Sequence, residues 1–422
     1  MEQTYKRNLF FSFTFFALCG FSSAIMSLSL TQEFLIANAF PAQRLAQLGT
    51  ITFVSQLVAY FLFASIGDKL KRPLALAVVS YTLPVLSCIV MIVLSIYNPF
   101  GPAFAVYTVL GLTFVITLVT SAYTVVDSKV FYSAVGSENF KRANSINVLL
   151  LSAAGVFGNL IFIQVAKRVE YPNSMILLFS IGSVILIIAA FFLGRLKLVH
   201  YSASKEKTVS PFKSMSKLFK LKIFTKMIPA NIFRGFGSAY TYLIYPVAIL
   251  RLNFGLAESG FLAMASTIGM IAGNFLVTVL IKRIGSNKLT LAGAIVSSLG
   301  FAALMISPWG WLYIGAAFVV ACGATMLNST FPIGIIEFIP FDKMGSYTSG
   351  RYLLNAIIST VTLFSMQYLP DVAYLYVFAV IAVFQLLTGF CYYVTLRKFE
   401  TGKYENEKLA AEQETAVTQA AS

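Results

Sequence analysis

Long apolar runs separated by short polar segments fill the chain between residues 8 and 396. A helix that crosses the hydrocarbon core of a bilayer needs about 20 predominantly apolar residues. Twelve runs come close to this length, so the pattern predicts twelve transmembrane helices. We place these spans at residues 8–30, 45–66, 74–96, 102–126, 145–166, 175–193, 227–250, 256–281, 289–306, 311–331, 352–369 and 372–396.

A basic connector divides the spans into two sets of six. Residues 195–226 contain nine Lys or Arg residues and one acid, Glu206. We therefore predict a six-helix bundle at residues 1–194, a cytoplasmic connector at residues 195–226 and a second bundle at residues 227–398. The tail at residues 399–422 is polar and mixed in charge, which predicts a disordered cytoplasmic segment.

The connector has an apolar pattern of its own. Large apolar residues recur at near-helical spacing with lysines between them, namely Phe212, Met215, Phe219, Ile223 and Phe224. This pattern is typical of an amphipathic helix that lies on the inner leaflet of a membrane. A disordered basic linker is the alternative interpretation.

Composition agrees with a membrane protein and argues against other classes. Charged residues make up 11% of the chain and hydrophobic residues 58%, whereas a soluble domain has about 25% charged residues. The net charge is +15, but the charges lie in short segments between apolar runs, which argues against nucleic-acid binding. With one histidine, His200, and four cysteines inside apolar runs, we predict no metal site and no cofactor.

Lysine and arginine concentrate in alternate loops. The loops after spans 2, 4 and 8 are basic, whereas the opposite loops hold only Arg44, Lys167, Arg168 and Arg251. Because cytoplasmic loops carry the excess of positive charge, both termini are predicted to be cytoplasmic. We place the protein in the plasma membrane.

The two halves repeat each other in their loops. Residues 136–142 precede span 5 and residues 345–351 precede span 11, and both read G-S-x-x-x-x-R. Asp127 at the end of span 4 corresponds to Glu337 after span 10, and the basic turn after span 2 corresponds to Lys282 and Arg283 after span 8. Three matches in register indicate internal duplication, which is typical of transporter folds.

With this layout the chain resembles the major facilitator superfamily from about residue 8 to residue 396. In the turn between spans 2 and 3, Asp68, Lys69 and Arg72 match the family's loop signature, while Ala64 and Lys71 replace its two glycines. The resemblance implies an all-α integral membrane fold of twelve helices in two six-helix pseudo-repeats. It also implies a secondary active or facilitative transporter that moves a small solute by alternating access, through a rocker-switch movement of the halves.

The resemblance further implies a latch between the inner ends of the halves in the outward-open state. One set of latch residues would be Asp68, Lys69, Arg72 and Asp127, and a weaker repeat of it would be Lys282, Arg283 and Glu337. The alternative is that these charges only fix topology in solvated turns, where an exposed ion pair contributes about 0–1 kcal/mol.

Polar residues inside spans 1, 4, 7 and 10 fall on narrow helix faces. Lipid offers no hydrogen bonds, so such faces should contact protein or a water-filled cavity. In the resembled fold these four spans line the central cavity, which makes the following residues candidate substrate contacts: Ser23, Ser27, Thr117, Thr120, Thr124, Asn231, Arg234, Ser238, Tyr242, Tyr245, Thr325 and Asn328. For each Ser or Thr, the alternative is helix packing or a bond to its own backbone.

Arg234 is the candidate whose charge most strongly indicates a function. An arginine at the centre of a transmembrane helix costs about 2.5–3.5 kcal/mol, so it usually has a partner or a function. Arg234 either faces the cavity and attracts an anionic substrate, or it reaches the cytoplasmic surface or pairs with Glu337.

The spans have no carboxylate near their middle, which constrains the mechanism. Proton coupling would have to use Glu33, Asp127 or the substrate itself; uniport is also open, and drug or metabolite efflux by proton antiport is the alternative function. An enzyme would need a catalytic cluster, and we do not find one in the sequence. Duplicated halves suit a carrier better than a channel. A non-transporting membrane protein is the less favoured alternative. We predict a monomer whose partners are the lipid bilayer, a small solute of unknown class and, under coupling, protons.

Overall fold

The computed structural model describes residues 2–66, 70–199, 210–335, 344–366, 368 and 373–420. Within these ranges the chain is helical and has no strand. The helices are α1 (Glu2–Ile25), α2 (Leu28–Ala37), α3 (Ala46–Ile66), α4 (Pro73–Ile96), α5 (Pro102–Val135), α6 (Ser137–Arg168), α7 (Asn173–Gly194), α8 (Pro211–Leu218), α9 (Lys222–Ser238), α10 (Ile244–Leu252), α11 (Leu256–Ile306), α12 (Gly310–Ile335), α13 (Met344–Met366) and α14 (Ala373–Ala420).

The predicted twelve-span, all-α architecture is confirmed. Ten segments in the described ranges are long and apolar enough to cross a membrane. Two of them lie in α11 and meet at Gly285, where a φ of 80° interrupts the helix; glycine adopts this conformation without the steric penalty of a side chain. The other two spans are α13 and the pair α9 and α10, which a 3₁₀ turn separates at Ala239–Tyr242.

Spans 1 and 7 occupy corresponding places in the two halves, and both are broken. Span 1 passes from α1 to α2 around Ser27 and continues to Ala37, beyond its predicted end at residue 30. Serine favours helix starts over helix interiors because its hydroxyl competes for backbone groups. In span 7, the weak helix formers Gly235, Gly237 and Ser238 precede the 3₁₀ turn.

Each half is a bundle with its own packing. In the first half α1 packs on α6 and α7, and α4 on α5 and α7; in the second half α11 packs on α12 and α14, and α9 on α13 and α14. Asn8, at the start of span 1, donates hydrogen bonds to the carbonyl oxygens of Ala134 at 2.7 Å and Lys197 at 2.8 Å, near the ends of spans 4 and 6. We call the side of the protein marked by these contacts the termini side, and the opposite one the far side.

The two halves meet along α3 with α13 and along α6 with α11. Toward the termini side, the rings of Tyr60 and Tyr352 stack with their centroids 5.3 Å apart. Further along, the Asn159 amide donates a hydrogen bond to the Thr267 hydroxyl at 3.2 Å. Contacts between the halves therefore occur at more than one level of the protein.

Helix α8 of the connector contacts both halves on the termini side. The Phe212 ring lies 5.0 Å from the ring of Phe61 on α3, and Leu218 is buried against Gly350 of α13. Of the two interpretations of the connector, the structure therefore has the helix, over Pro211–Leu218. Residues 200–209 of the connector lie outside the described residues.

Helix α14 continues to Ala420, past the predicted end of span 12 at residue 396. The backbone is thus helical where the sequence predicted a disordered tail. The residues after 398 are rich in Ala, Glu and Lys, which are strong helix formers even without an apolar face.

Candidate functional site

The far-side segments of the two broken spans meet at a hydrogen bond between the halves. Tyr245 on α10 donates its hydroxyl to a carboxylate oxygen of Glu33 on α2. Tyr245 is 3% exposed and Glu33 is partly buried, and Ser259 of α11 interacts with the same hydroxyl. Since a buried carboxylate without a partner is costly, this pair stabilises the contact of α2 with α10. We call Glu33 and Tyr245 the far-side bridge.

A second contact on the far side involves another predicted site residue. The Tyr242 ring packs edge-on against Phe53 of α3 with centroids 5.7 Å apart, and its hydroxyl interacts with Thr52. Tyr242 and Tyr245 therefore lie between the halves. Ser27, at the break of span 1, bonds to Ser29 at 2.8 Å.

Several predicted site residues keep accessible surface inside the spans. Ser23, Thr124 and Asn328 are exposed, and Thr117, Thr120, Arg234 and Thr325 are partly buried. The hydroxyls of Thr120 and Thr124 donate to the carbonyl oxygens of Ile116 and Thr120, each at 3.0 Å, which satisfies both donors locally. Asn328 has no such local bond, so we expect its amide to face water rather than lipid.

Two other predicted site residues lie inside the second bundle. Asn231 is fully buried and accepts a hydrogen bond from the Tyr392 hydroxyl of α14 at 2.9 Å. Ser238 donates to the amide oxygen of Asn355 on α13 at 3.1 Å. Both residues thus connect α9 to its neighbours in the same half, whereas Thr325 of α12 faces α11 at Gly273.

The predicted latch falls largely outside the described part of the chain. Asp68, Lys69 and Glu337 are not among the described residues, nor is the side chain of Lys282. Arg72 and Arg283 are exposed, and Asp127 is partly buried and interacts with Tyr123 one turn earlier. The latch therefore stays a prediction.

Sequence reasoning did not single out Arg351, which the structure places inside a helix. The predicted span 11 began at residue 352, but α13 begins at Met344, so Arg351 lies two turns inside a helix. Its guanidinium lies 4.7 Å from the Tyr352 ring centre and 5.4 Å from that of Phe331, and it is 9% exposed. The available signal is the arginine that ends G-S-x-x-x-x-R, a pattern that predicts a loop rather than a helix.

The site offers hydroxyls, amides and guanidinium groups rather than metal ligands. Among the described residues, no three His, Cys, Asp or Glu side chains come together in a way that could hold a metal ion. Donor groups of this kind bind and orient a polar solute. Their position in and between two six-helix halves suits transport.

Solved structures of transporters share this fold. The xylose transporter XylE from E. coli, in a partially occluded inward-open conformation, has 11% sequence identity and a TM-score of 0.66 over 92% of this chain and 97% of its own. The nucleoside transporter NupG has 12% identity and a TM-score of 0.64 over 93% and 99%. A bacterial homologue of the iron transporter ferroportin in its inward-facing state has 11% identity and a TM-score of 0.64 over 94% and 99%. At these identities the likeness concerns the fold alone.

The outward-facing structure of the same ferroportin homologue gives a similar TM-score of 0.63. The likeness is therefore to the fold and not to one conformational state. No curated protein sequence matches the chain. The sequence model of the Major Facilitator Superfamily matches residues 9–363, which is most of the chain. Together with the twelve spans in two halves, this match shows that the chain belongs to the major facilitator superfamily and is a membrane transporter that works by alternating access.

Proposed function

We propose that this transporter moves a small polar solute with an anionic group across the plasma membrane, with both termini in the cytoplasm. The observation that carries the proposal is the pair of broken spans, whose far-side segments meet at the far-side bridge. In transporters, broken helices at corresponding places in two repeats mark the binding site and the moving segments. On this proposal the bridge opens each time the far side admits or releases solute.

The anionic character of the solute follows from Arg234. This residue is partly buried in span 7 and has no ion pair with a described residue. A cation inside a span is costly unless it serves a partner or a pathway. A carboxylate or phosphate group of the solute would supply that partner, and the accessible Ser23, Thr117, Thr124 and Asn328 would contact its hydroxyl or amide groups.

Coupling to protons is proposed to use Glu33. Its carboxylate accepts the hydrogen bond that joins the halves, so protonation would change the contact that has to break for transport. Asp127 is the second candidate, because it is a partly buried acid that interacts with Tyr123.

The test is a transport screen of purified protein in liposomes, with and without an imposed pH gradient. We expect saturable uptake of organic anions, faster when the gradient is present. Gradient-independent uptake would indicate uniport, and no uptake above that of protein-free liposomes for any solute class would contradict the proposed function. Liposomes with a folded Arg234→Gln variant provide the matched control for leakage.

A further inference from the structure

Three buried hydrogen-bond donors, one of them on Arg351, have no acceptor. The Nε atom of Arg351, the hydroxyl of Tyr347 and the amide nitrogen of Asn231 each lack a hydrogen-bond partner among the described residues. The three side chains are 9%, 2% and 0% exposed, so bulk solvent has little access to them. Buried polar groups nearly always have partners, and three unmatched donors call for a specific explanation.

The three groups share one neighbourhood. Arg351 lies near Tyr347 and Tyr392, and Tyr392 donates its hydroxyl to Asn231 at 2.9 Å. The Phe331 ring lies under the Arg351 guanidinium at 5.4 Å and stacks on Tyr392 at 3.9 Å. Because the amide oxygen of Asn231 is already engaged by Tyr392, its amide nitrogen is left as a donor.

The neighbourhood is also positively charged. Arg234 and Arg351 both lie near Tyr347 and Tyr352, and one acid, Asp127, also lies near Tyr352. Neither arginine forms an ion pair with a described residue. Stacking on aromatic rings offsets only part of the cost of burying a guanidinium. Free donors together with two cations match one kind of ligand, an oxyanion, which accepts several hydrogen bonds and carries the opposite charge.

We infer that Arg351, Tyr347 and Asn231, with the half-buried Arg234 beside them, form a binding site for a carboxylate or phosphate group of the transported solute. This inference rests on the proposed function for the source of the anion. Helices of the second half surround the site, and Tyr60 of the first half stacks on Tyr352 next to Arg351. Protein on these sides favours a soluble anion over a lipid headgroup.

Binding of simple oxyanions tests the site. The unfolding midpoint of the full-length protein in detergent is measured against inorganic phosphate, acetate or chloride at constant ionic strength. We expect phosphate or acetate to raise the midpoint more than chloride does. Arg351→Gln is expected to weaken that response by about tenfold or more in concentration, whereas Arg397→Gln, an exposed arginine on α14, leaves it unchanged. An equal response of the Arg351→Gln protein and the natural one would overturn the inference.

Tyr347→Phe is a second variant that removes only one hydroxyl. In chloride this hydroxyl has no acceptor, so the variant is expected to be at least as stable as the natural protein. In phosphate it is expected to gain less stability, since one donor to the oxyanion is gone. A variant that is less stable in chloride and gains as much from phosphate would show that the hydroxyl serves the protein itself, and would overturn the site.

A carboxylate from residues 336–343, either Glu337 or Asp342, is the competing partner for Arg351. If one of these acids neutralised Arg351, then Glu337→Gln or Asp342→Asn combined with Arg351→Gln would cost less stability than the two changes summed. The inference expects additive effects instead. A transport assay separates the anion site from the proposed function. If phosphate and acetate fail to bind while transport is intact, the anion site alone is overturned. If they bind but no solute is transported, the proposed function alone is overturned.

Discussion

Replacing Arg234 by Gln is expected to abolish transport while the protein stays folded and inserted. Arg234 is half-buried, shares its neighbourhood with Arg351 and has no ion pair with a described residue. Its loss therefore leaves no described acid unpaired, but removes a charged donor to the solute. A hydrogen bond to a charged group contributes about 1.5–3 kcal/mol, which corresponds to roughly 10–100-fold in affinity. Uptake into liposomes and the monodispersity of the purified variant are the two measurements.

The control for Arg234→Gln is the loss of the same charge elsewhere. Arg397 is exposed on α14, so Arg397→Gln should transport at the natural rate. Full transport by the Arg234→Gln protein would exclude Arg234 from the solute site. A variant that aggregates would be replaced by Arg234→Lys, which keeps the charge but not the planar donor geometry and should retain only part of the activity.

Tyr245→Phe is expected to shift the protein toward a state in which the far side is open. The change removes the hydrogen bond between α2 and α10 without removing the ring. The lost contribution of about 1.5–3 kcal/mol should raise the population of the open state by roughly tenfold or more. The readout is the labelling rate of Ile163→Cys by a membrane-impermeant maleimide, with the four native cysteines replaced. Ile163 is 3% exposed at the interface of the halves.

A hydrogen bond within one half provides the matched control. Tyr313 donates its hydroxyl to the carbonyl oxygen of Ile244 at 2.7 Å, and both residues belong to the second half. Tyr313→Phe removes a comparable bond, but should leave the labelling rate of the cysteine at position 163 unchanged. Equal rates in the Tyr245→Phe and Tyr313→Phe proteins would show that the far-side bridge does not hold the halves together.

Hydropathy predicted the spans well because each helix must cover the same thickness of lipid. It could not locate the break in span 1, where Met26 and Ser27 are flanked by apolar residues on both sides. The consequence was that Glu33 was placed beyond the span, although it lies within α2. A helix break of two residues disappears in any average over about 20 residues.

The start of α13 was missed for a related reason. Residues 345–351 are mostly Gly, Ser and Thr, which is typical of a loop, but protein rather than lipid covers these first turns. Arg351 stacks on Tyr352 and Phe331, and such partners are not visible in one sequence. Hydrophobicity indicates which helices face lipid, and it says little about polar helix ends that pack against other helices.

The polar face of span 7 was predicted as one stripe, but neighbouring helices divide it. Asn231 contacts Tyr392 on α14, Ser238 contacts Asn355 on α13, and Tyr245 reaches the first half. The rotation of 100° per residue places these side chains correctly around a single helix. It does not say which helix lies opposite, because that depends on the packing of the whole bundle and on the 3₁₀ turn in the middle of the span.

The central claim is that transport requires the two halves to separate on the far side. A Cβ at Gly260 of α11 would lie 2.6 Å from Cγ1 of Ile163 on α6, so cysteines at these positions are close enough to form a disulfide between the halves. The control pair is Met26→Cys with Gly182→Cys, where the corresponding distance to Cγ of Met26 is 2.3 Å and both residues lie in the first half. Oxidation of the pair at positions 163 and 260 should stop uptake, and reduction should restore it, whereas the control pair should transport in both states. Unchanged uptake with the halves fully cross-linked would contradict alternating access by separation of the halves.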